Sequence, residues 1–332
     1  MSNEIQPKVL SSEDTQGIQA SMDNNGYCVV NIQSIDVDKL KDLFRKDLSQ
    51  IVDHPVDTDK MWTMRPAIDF PRTQMTGLLG EYGLSQGDAA WHVRTNLEIQ
   101  SIFSKLLKAT PVDLVCSFEA IGFSTTESRI YNRKVLHVDQ NPYIPGGNIN
   151  SIQAIFYAES SQTSDNEADP RATTVVVPGS HKDWLDHNYR LHDGHHQAVD
   201  QEKYWSKAFR LVIPAGCLLV FSSKLIHQGW SGPQQLCFMV SYGLKSDRDE
   251  DSRIRKIVMY LGGHQSTHWS QFGQYHGVKW RYGEPWKMIV PSLTASADET
   301  WVESLLEDAI ASDEWYEFEF DSYIPKDRLT LI

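Results

Sequence analysis

From residue 113 to residue 244 the chain repeats one pattern: short runs of β-branched, aromatic and aliphatic residues, cut by Gly, Pro, Asn and Asp. The runs fall at 113–122, 127–138, 149–158, 173–178, 208–213, 217–222 and 235–244. The cuts include Gly122, Pro142-Tyr143-Ile144-Pro145-Gly146-Gly147, Pro178-Gly179 and Pro214-Ala215-Gly216. Apolar runs of this length read as strands, and the residues between them supply turn conformations. Seven or eight strands without regular helices between them exclude α/β alternation. They predict a mainly β protein with flanking helices, its core a double-stranded β-helix of the jelly-roll, cupin-like kind.

The flanks read as helical. Ser11-Ser12-Glu13-Asp14 offers cap chemistry for a helix that stops near Asn24-Asn25-Gly26, and Tyr27-Cys28-Val29-Val30 follows as a strand. Asp36 to Val52 carries Val37, Leu40, Leu43, Leu48 and Ile51 roughly on one helical face, and Thr95 to Ala109 repeats the pattern. Residues 60–90 read as a long irregular loop, 160–170 as a polar surface loop, and 183–207 as an insertion between strands. Helical character returns at 252–261 and 296–311. No stretch reads as a linker, so one domain over 1–332 is expected. Its helical flank is 1–110, its jelly-roll core about 111–245, and its helical and aromatic C-terminal flank 246–332.

Composition narrows the function. Of 332 residues, 40% are hydrophobic and 23% charged, enough for a packed core. The net charge of −13, with no Lys/Arg run, argues against a nucleic-acid partner. No apolar stretch approaches 18 residues, so no membrane partner is expected. Cys28, Cys116, Cys217 and Cys237 form no C-x-x-C pair and read as buried free thiols of a reducing compartment. With no basic and apolar leader at Met1-Ser2-Asn3-Glu4, a cytoplasmic enzyme is expected.

Its chemistry is suggested by His137-Val138-Asp139, followed 88 residues after Asp139 by His227. On a strand, residues i and i+2 point to one side, so His137 and Asp139 share a face. His227 follows the buried-strand run Leu218-Leu219-Val220-Phe221. Two imidazoles and one carboxylate can occupy one face of an octahedral Fe(II), leaving three positions open.

Four segments then carry a resemblance to a family. In order they are Trp91-His92-Val93-Arg94, Leu136-His137-Val138-Asp139-Gln140-Asn141-Pro142, Val175-Val176-Val177-Pro178-Gly179-Ser180-His181-Lys182, and Pro214-Ala215-Gly216 leading to His227. Together they resemble the phytanoyl-CoA dioxygenase-like branch of the Fe(II)/2-oxoglutarate-dependent oxygenases, over roughly residues 90 to 245. The resemblance implies Fe(II) held by His137, Asp139 and His227, with 2-oxoglutarate as chelating cosubstrate and O2 at the remaining position. It implies an oxidoreductase that releases succinate and CO2 while hydroxylating a small organic metabolite. Related halogenases have a small residue where Asp139 stands, so hydroxylation or desaturation is favoured over halogenation.

One departure concerns the cosubstrate. The family usually places an Arg about ten residues past the distal His, but Ser231 to Val240 contains neither Arg nor Lys. A carboxylate in a partly dry pocket needs a cation or several donors. The candidates are Arg94, Arg129, Arg133, Lys224 and Lys245, with Arg94 favoured because Trp91-x-x-Arg94 belongs to the resemblance. Gln153, on the strand after the metal pair, is expected to project inward and donate to the cosubstrate. Salt-bridge and core roles stand beside these readings of Arg94 and Gln153.

Other signals have plainer readings. His181 and Ser180 read as supports of a turn, and Ser231 as a turn residue. His192-Asp193-Gly194-His195-His196 is a rival metal cluster, against a solvated or substrate-facing loop. His264, His268 and His276 lie among aromatics that could wall the site, and Arg65, Arg72 and Arg281 could meet an anionic group. Two alternatives stay open. One is a jelly-roll metalloenzyme, dioxygenase or isomerase, that does not use 2-oxoglutarate. The other is a non-catalytic binding protein on the same fold.

Overall fold

The computed structural model describes residues 3–52, 56, 58–64, 78–79, 82–126, 134–141, 151–163, 170–186, 188–192, 195–271 and 324–332. The expected helix at 296–311, His276, and Arg65, Arg72, Arg129, Arg133 and Arg281 lie outside them. In chain order the strands are β1 (Asn3–Ile5), β2 (Val9–Ser11), β3 (Tyr27–Asn31), β4 (Leu78–Leu79), β5 (Leu114–Cys116), β6 (Ile121–Ser124), β7 (His137–Val138) and β8 (Ile152–Tyr157). They continue as β9 (Thr173–Val176), β10 (Tyr189–His192), β11 (His195–Ala198), β12 (Phe209–Leu211), β13 (Cys217–Ser222), β14 (His227–Trp230) and β15 (Gln235–Leu244). The helices are α1 (Thr15–Asn25), α2 (Val37–Ile51), α3 (Thr58–Thr63), α4 (Asp88–Arg94), α5 (Leu97–Leu107), α6 (Gln201–Trp205), α7 (Glu250–Leu261) and α8 (Lys326–Leu329).

By its contacts the chain divides into two compact units, each drawn from separated stretches. The first comprises Met1–Val37, Trp62–Gly77 and Gly122–Met239; the second comprises Asp38–Met61, Leu78–Ile121 and Val240–Ile332.

The first unit holds the jelly roll. One sheet has the order β1-β12-β9-β14-β7-β11-β10, and the other runs, within this unit, β2-β3-β13-β8-β15-β6. From β6 to β9, and again from β12 to β15, successive strands alternate between the two sheets. That alternation is the winding of a double-stranded β-helix, as the strand pattern predicts. β1 joins β12, and β2 joins β3, in parallel, so both sheets are mixed.

Side-chain alternation sorts the faces. Val176 and Leu211 of one sheet and Tyr27, Val29, Tyr157, Leu219 and Phe221 of the other form one buried cluster between the sheets. Leu136, Val138, Val175, Val177, Ala198 and Ile226 occupy the first sheet's opposite face, packed with Tyr204 of α6. Completely burying a side chain of this size contributes about 1.5–3 kcal/mol, so a one-residue register slip is strongly disfavoured.

Local chemistry sets the element ends. Asp14 caps α1, accepting from Gly17 N–H at 2.9 Å, and Gly26 ends it in the left-handed conformation at φ 79°. Asn96 caps α5 by accepting from Ile99 N–H at 3.0 Å. Two expectations are corrected here. The 183–207 insertion contains the hairpin β10–β11 and helix α6, and the hairpin extends the first sheet by pairing β11 with β7. Its strands are rich in polar residues, so an apolar scan passes over them. The 60–90 stretch is not one loop: α3 runs into its start, β4 lies inside it, and α4 begins before its end, at Asp88.

In the second unit Leu40, Phe44, Asp47 and Leu48 form the buried face of α2. Asp47 accepts from Asp88 N–H and Ala89 N–H, opening α4 with a carboxylate supplied by another helix. Trp91 packs edge-on to Tyr260 and tilted against Phe118. β5 pairs with the far end of β15 through Tyr242↔Cys116.

Candidate metal centre

The side chains of His137, Asp139 and His227 converge in the first unit, with one ligand atom from each lying within 4.8 Å of the others. The convergence is long-range: β14 pairs with β7 in the register His227↔His137, placing both imidazoles on one face in adjacent strands. Asp139 follows β7 by one residue and shares that face. Its backbone is held where the strand ends, since Asp139 N–H and Gln140 N–H both donate to Ser223 O, at 3.0 and 2.9 Å. Ser223 N–H donates to Ser151 O, and Ser223 Oγ–H to Gln140 Oε1.

Both imidazoles are oriented in the same way. His137 Nδ1 lies 2.7 Å from Val135 O, and His227 Nδ1 2.9 Å from Leu225 O, each two residues back in the chain. A carbonyl only accepts, so each Nδ1 carries the hydrogen and each Nε2 keeps its lone pair for a cation. Those Nε2 atoms face the carboxylate, His137 at 3.6 Å from Asp139 Oδ1 and His227 at 3.2 Å from Oδ2. Neighbouring ligands of an octahedral ion, each about 2.1 Å from it, stand about 3 Å apart. The donor set therefore fits a borderline divalent ion bound on one face. Phe221 packs on His227 with ring centroids 4.9 Å apart and excludes water from that side.

The electrostatics agree. Burial by itself would lower the His227 pKa, but the Asp139 carboxylate and its hydrogen bond outweigh burial and raise it above the ordinary imidazole value. Two imidazoles on one carboxylate form a nest for positive charge, whether a proton or a metal ion.

Gln153 projects inward. On β8 it shares a face with Ile155 and Tyr157, which pack in the inter-sheet cluster. Its Nε2 donates to Asp139 Oδ2 at 2.7 Å. The amide read from the sequence as a cosubstrate donor thus donates to the Asp139 carboxylate of the candidate centre.

No family model matches the chain, and no curated protein matches it. Among solved structures, the chain is similar to the apo form of EctD from S. alaskensis, at 14% identity and a TM-score of 0.48, covering 75% of this chain and 85% of that one. It is also similar to the epimerase SnoN in complex with Fe3+, alpha ketoglutarate and nogalamycin RO, at 13% identity and a TM-score of 0.44, covering 69% and 82%. The carbocyclase SnoK from nogalamycin biosynthesis is matched at 12% identity and a TM-score of 0.44, covering 71% and 86%. Likeness this distant assigns neither reaction nor substrate to this chain.

The basic candidates are placed as follows. Arg94 belongs to the second unit, where it is buried and donates to Ser85 O and Glu119 O. Its guanidinium lies over the rings of Trp91 and Phe118. Lys245, also of that unit, donates to Val112 O at 2.6 Å. Lys224, three residues before His227, lies 5.3 Å from the Trp184 ring centroid.

The turn motif supports the site from behind. Ser180 Oγ accepts from Ile226 N–H at 2.9 Å, fixing the backbone next to His227. Gly179, at φ 79°, donates its N–H to Asn25 O, and His181 Nε2 lies 3.2 Å from Asp23 O. His181 is thus tied to the end of α1. His192 and His195 are register partners at the end of the β10–β11 hairpin. All four cysteines are free and buried, and burial pushes the Cys28 and Cys237 thiols up to about 12, which keeps them protonated and inert.

Proposed function

We propose that this protein is a non-haem Fe(II)- and 2-oxoglutarate-dependent oxygenase. It hydroxylates a small organic molecule, using O2 and releasing succinate and CO2, with the whole chain serving as one enzyme. The observation that carries the reading is the arrangement of His137, Asp139 and His227, with both Nε2 atoms turned to the carboxylate and both Nδ1 atoms tied back to carbonyls. Three protein ligands on one face leave room for two chelating atoms and O2, and bound iron would supply oxygen activation there.

The chain's own residues do the rest. Gln153 holds Asp139 so that its carboxylate faces the cation and does not rotate away. Phe221 and the inter-sheet cluster keep the inner side of the triad dry.

A second reading is favoured by one observation: Ser231 to Val240 contains no Arg or Lys. It is a jelly-roll metalloenzyme that works without a 2-oxo acid.

The test is an anaerobic titration of the Fe(II)-loaded protein with 2-oxoglutarate. A saturable visible charge-transfer band, absent in Asp139→Ala and His227→Ala, supports metal and cosubstrate together. Iron binding without a band overturns the 2-oxoglutarate reading and leaves the second.

A further inference from the structure

The face that bears the triad continues beyond it. β7 pairs with β11 in the register His137↔Gln197, and β11 pairs with β10 in the register Gln197↔Arg190. Directly opposed residues share a face, so Arg190, Gln197, His137 and His227 form one cross-strand row. The other side of the sheet confirms the phase. Tyr189, Ala198, Leu136, Val138 and Ile226, each one residue away from a member of that row, all pack in the outer cluster. Ala198 N–H donates to Leu136 O at 2.9 Å, which makes Gln197 and His137 a non-hydrogen-bonded pair, the kind whose side chains approach most closely.

Neither polar member of this extension is satisfied within the protein. Gln197 is 7% exposed, yet its amide has no hydrogen-bond partner among the described residues. Arg190 is exposed and has no ion pair among them. The amide atoms of Gln197 are not closed off from solvent, so its N–H and the Arg190 guanidinium are both free to meet a bound molecule.

We propose that Gln197 and Arg190 form a carboxylate-binding subsite beside the metal centre. An amide N–H and a guanidinium fork on adjacent strands match the planar, two-oxygen geometry of a carboxylate. At one and two strand spacings from His137, roughly 5 and 10 Å, they flank any molecule held at the triad. The carboxylate comes either from the far end of a 2-oxo acid or from the molecule to be oxidised. The proposal rests on the triad being a metal centre, and it supplies the cation that the 231–240 segment lacks.

The test uses the full chain, wild type against Gln197→Met and Arg190→Met; Arg190 is exposed, so its variant keeps the fold. Zn(II) affinity is measured first and stays unchanged in both variants. In one arm, anaerobic Fe(II) protein is titrated with 2-oxoglutarate and with 2-oxopentanoate, which lacks the far carboxylate. Weakening of 2-oxoglutarate alone, by about tenfold or more, identifies the cosubstrate as the source. In the other arm, hexanoate is titrated calorimetrically into Zn(II)-loaded protein with and without 2-oxoglutarate. Binding that both variants lose, with 2-oxoglutarate affinity unchanged, identifies the second molecule as the source. Variants that match wild type in both arms overturn the subsite. If no 2-oxo acid gives a band in wild type, the oxygenase reading fails, while the hexanoate arm still decides the subsite.

Discussion

Gln153 Nε2 donates to Asp139 Oδ2 at 2.7 Å, so the carboxylate of the candidate metal centre is held by an amide from the opposite sheet. His227 Nε2 approaches the same oxygen at 3.2 Å. Removing the amide frees the carboxylate to turn from the two imidazoles. Gln153→Leu is expected to weaken Fe(II) or Co(II) binding by about 10–100-fold while the protein remains folded. Calorimetric titration with Co(II) measures it, and an unchanged affinity would remove Gln153 from the site.

Metal should stabilise the fold. An ion bound only by the folded chain adds about 2.7 kcal/mol at a free concentration one hundred times its Kd. Thermal unfolding with and without Zn(II) is expected to show a concentration-dependent rise in Tm. That rise should vanish in His227→Ala.

Ser180 Oγ accepts the Ile226 N–H, and Ile226 is wholly buried. Ser180→Ala leaves that donor without its acceptor, at a cost of about 1–3 kcal/mol. Because Ile226 precedes His227, metal affinity should fall as well. Urea unfolding and a Co(II) titration of the same variant check both effects.

Gly26 sits at φ 79°, and a Cβ there would lie 2.5 Å from His181 Nδ1 and 2.8 Å from Leu225 Cδ1. Gly26→Ala therefore meets backbone strain of about 1–2 kcal/mol and a collision with the His181 ring. Denaturant midpoints should fall by more than backbone strain alone predicts. Adding His181→Ala should recover part of the loss.

Burial raises Asp47 from 3.8 to about 7, against the opposing hydrogen bonds from Ala89 and Asp88 N–H. The unfolded chain releases this proton near its ordinary value, while the folded chain keeps it until about pH 7. The folded state thus binds more protons between those limits. Asp47's contribution to stability is full below about pH 4 and is lost as pH rises to about 7. Asp47→Asn removes this dependence. The difference in unfolding free energy between the two proteins should change across that window and level off above it.

How much of this was legible in the sequence follows from the range of the interactions involved. Strand periodicity, the caps at Asp14 and Asn96, the stop at Gly26 and the shared face of His137 and Asp139 depend on a few neighbouring residues, so local backbone geometry determines them. The inward phase of Gln153 follows from the same alternation. The register that sets His227 opposite His137 is tertiary, because it depends on the packing of two inner sheet faces. So is the placing of the polar β10–β11 hairpin on β7, which brings Gln197 opposite His137. The use of Asp47 to open α4 also needs a helix distant in sequence. Arg94 shows the limit most plainly: its motif suggested a carboxylate partner, and only the folded chain shows its two terminal nitrogens donating to Ser85 O and Glu119 O. A sequence fixes which hydrogen-bonding groups a residue carries, but their partners are set by which distant backbone atoms the fold brings within about 3 Å.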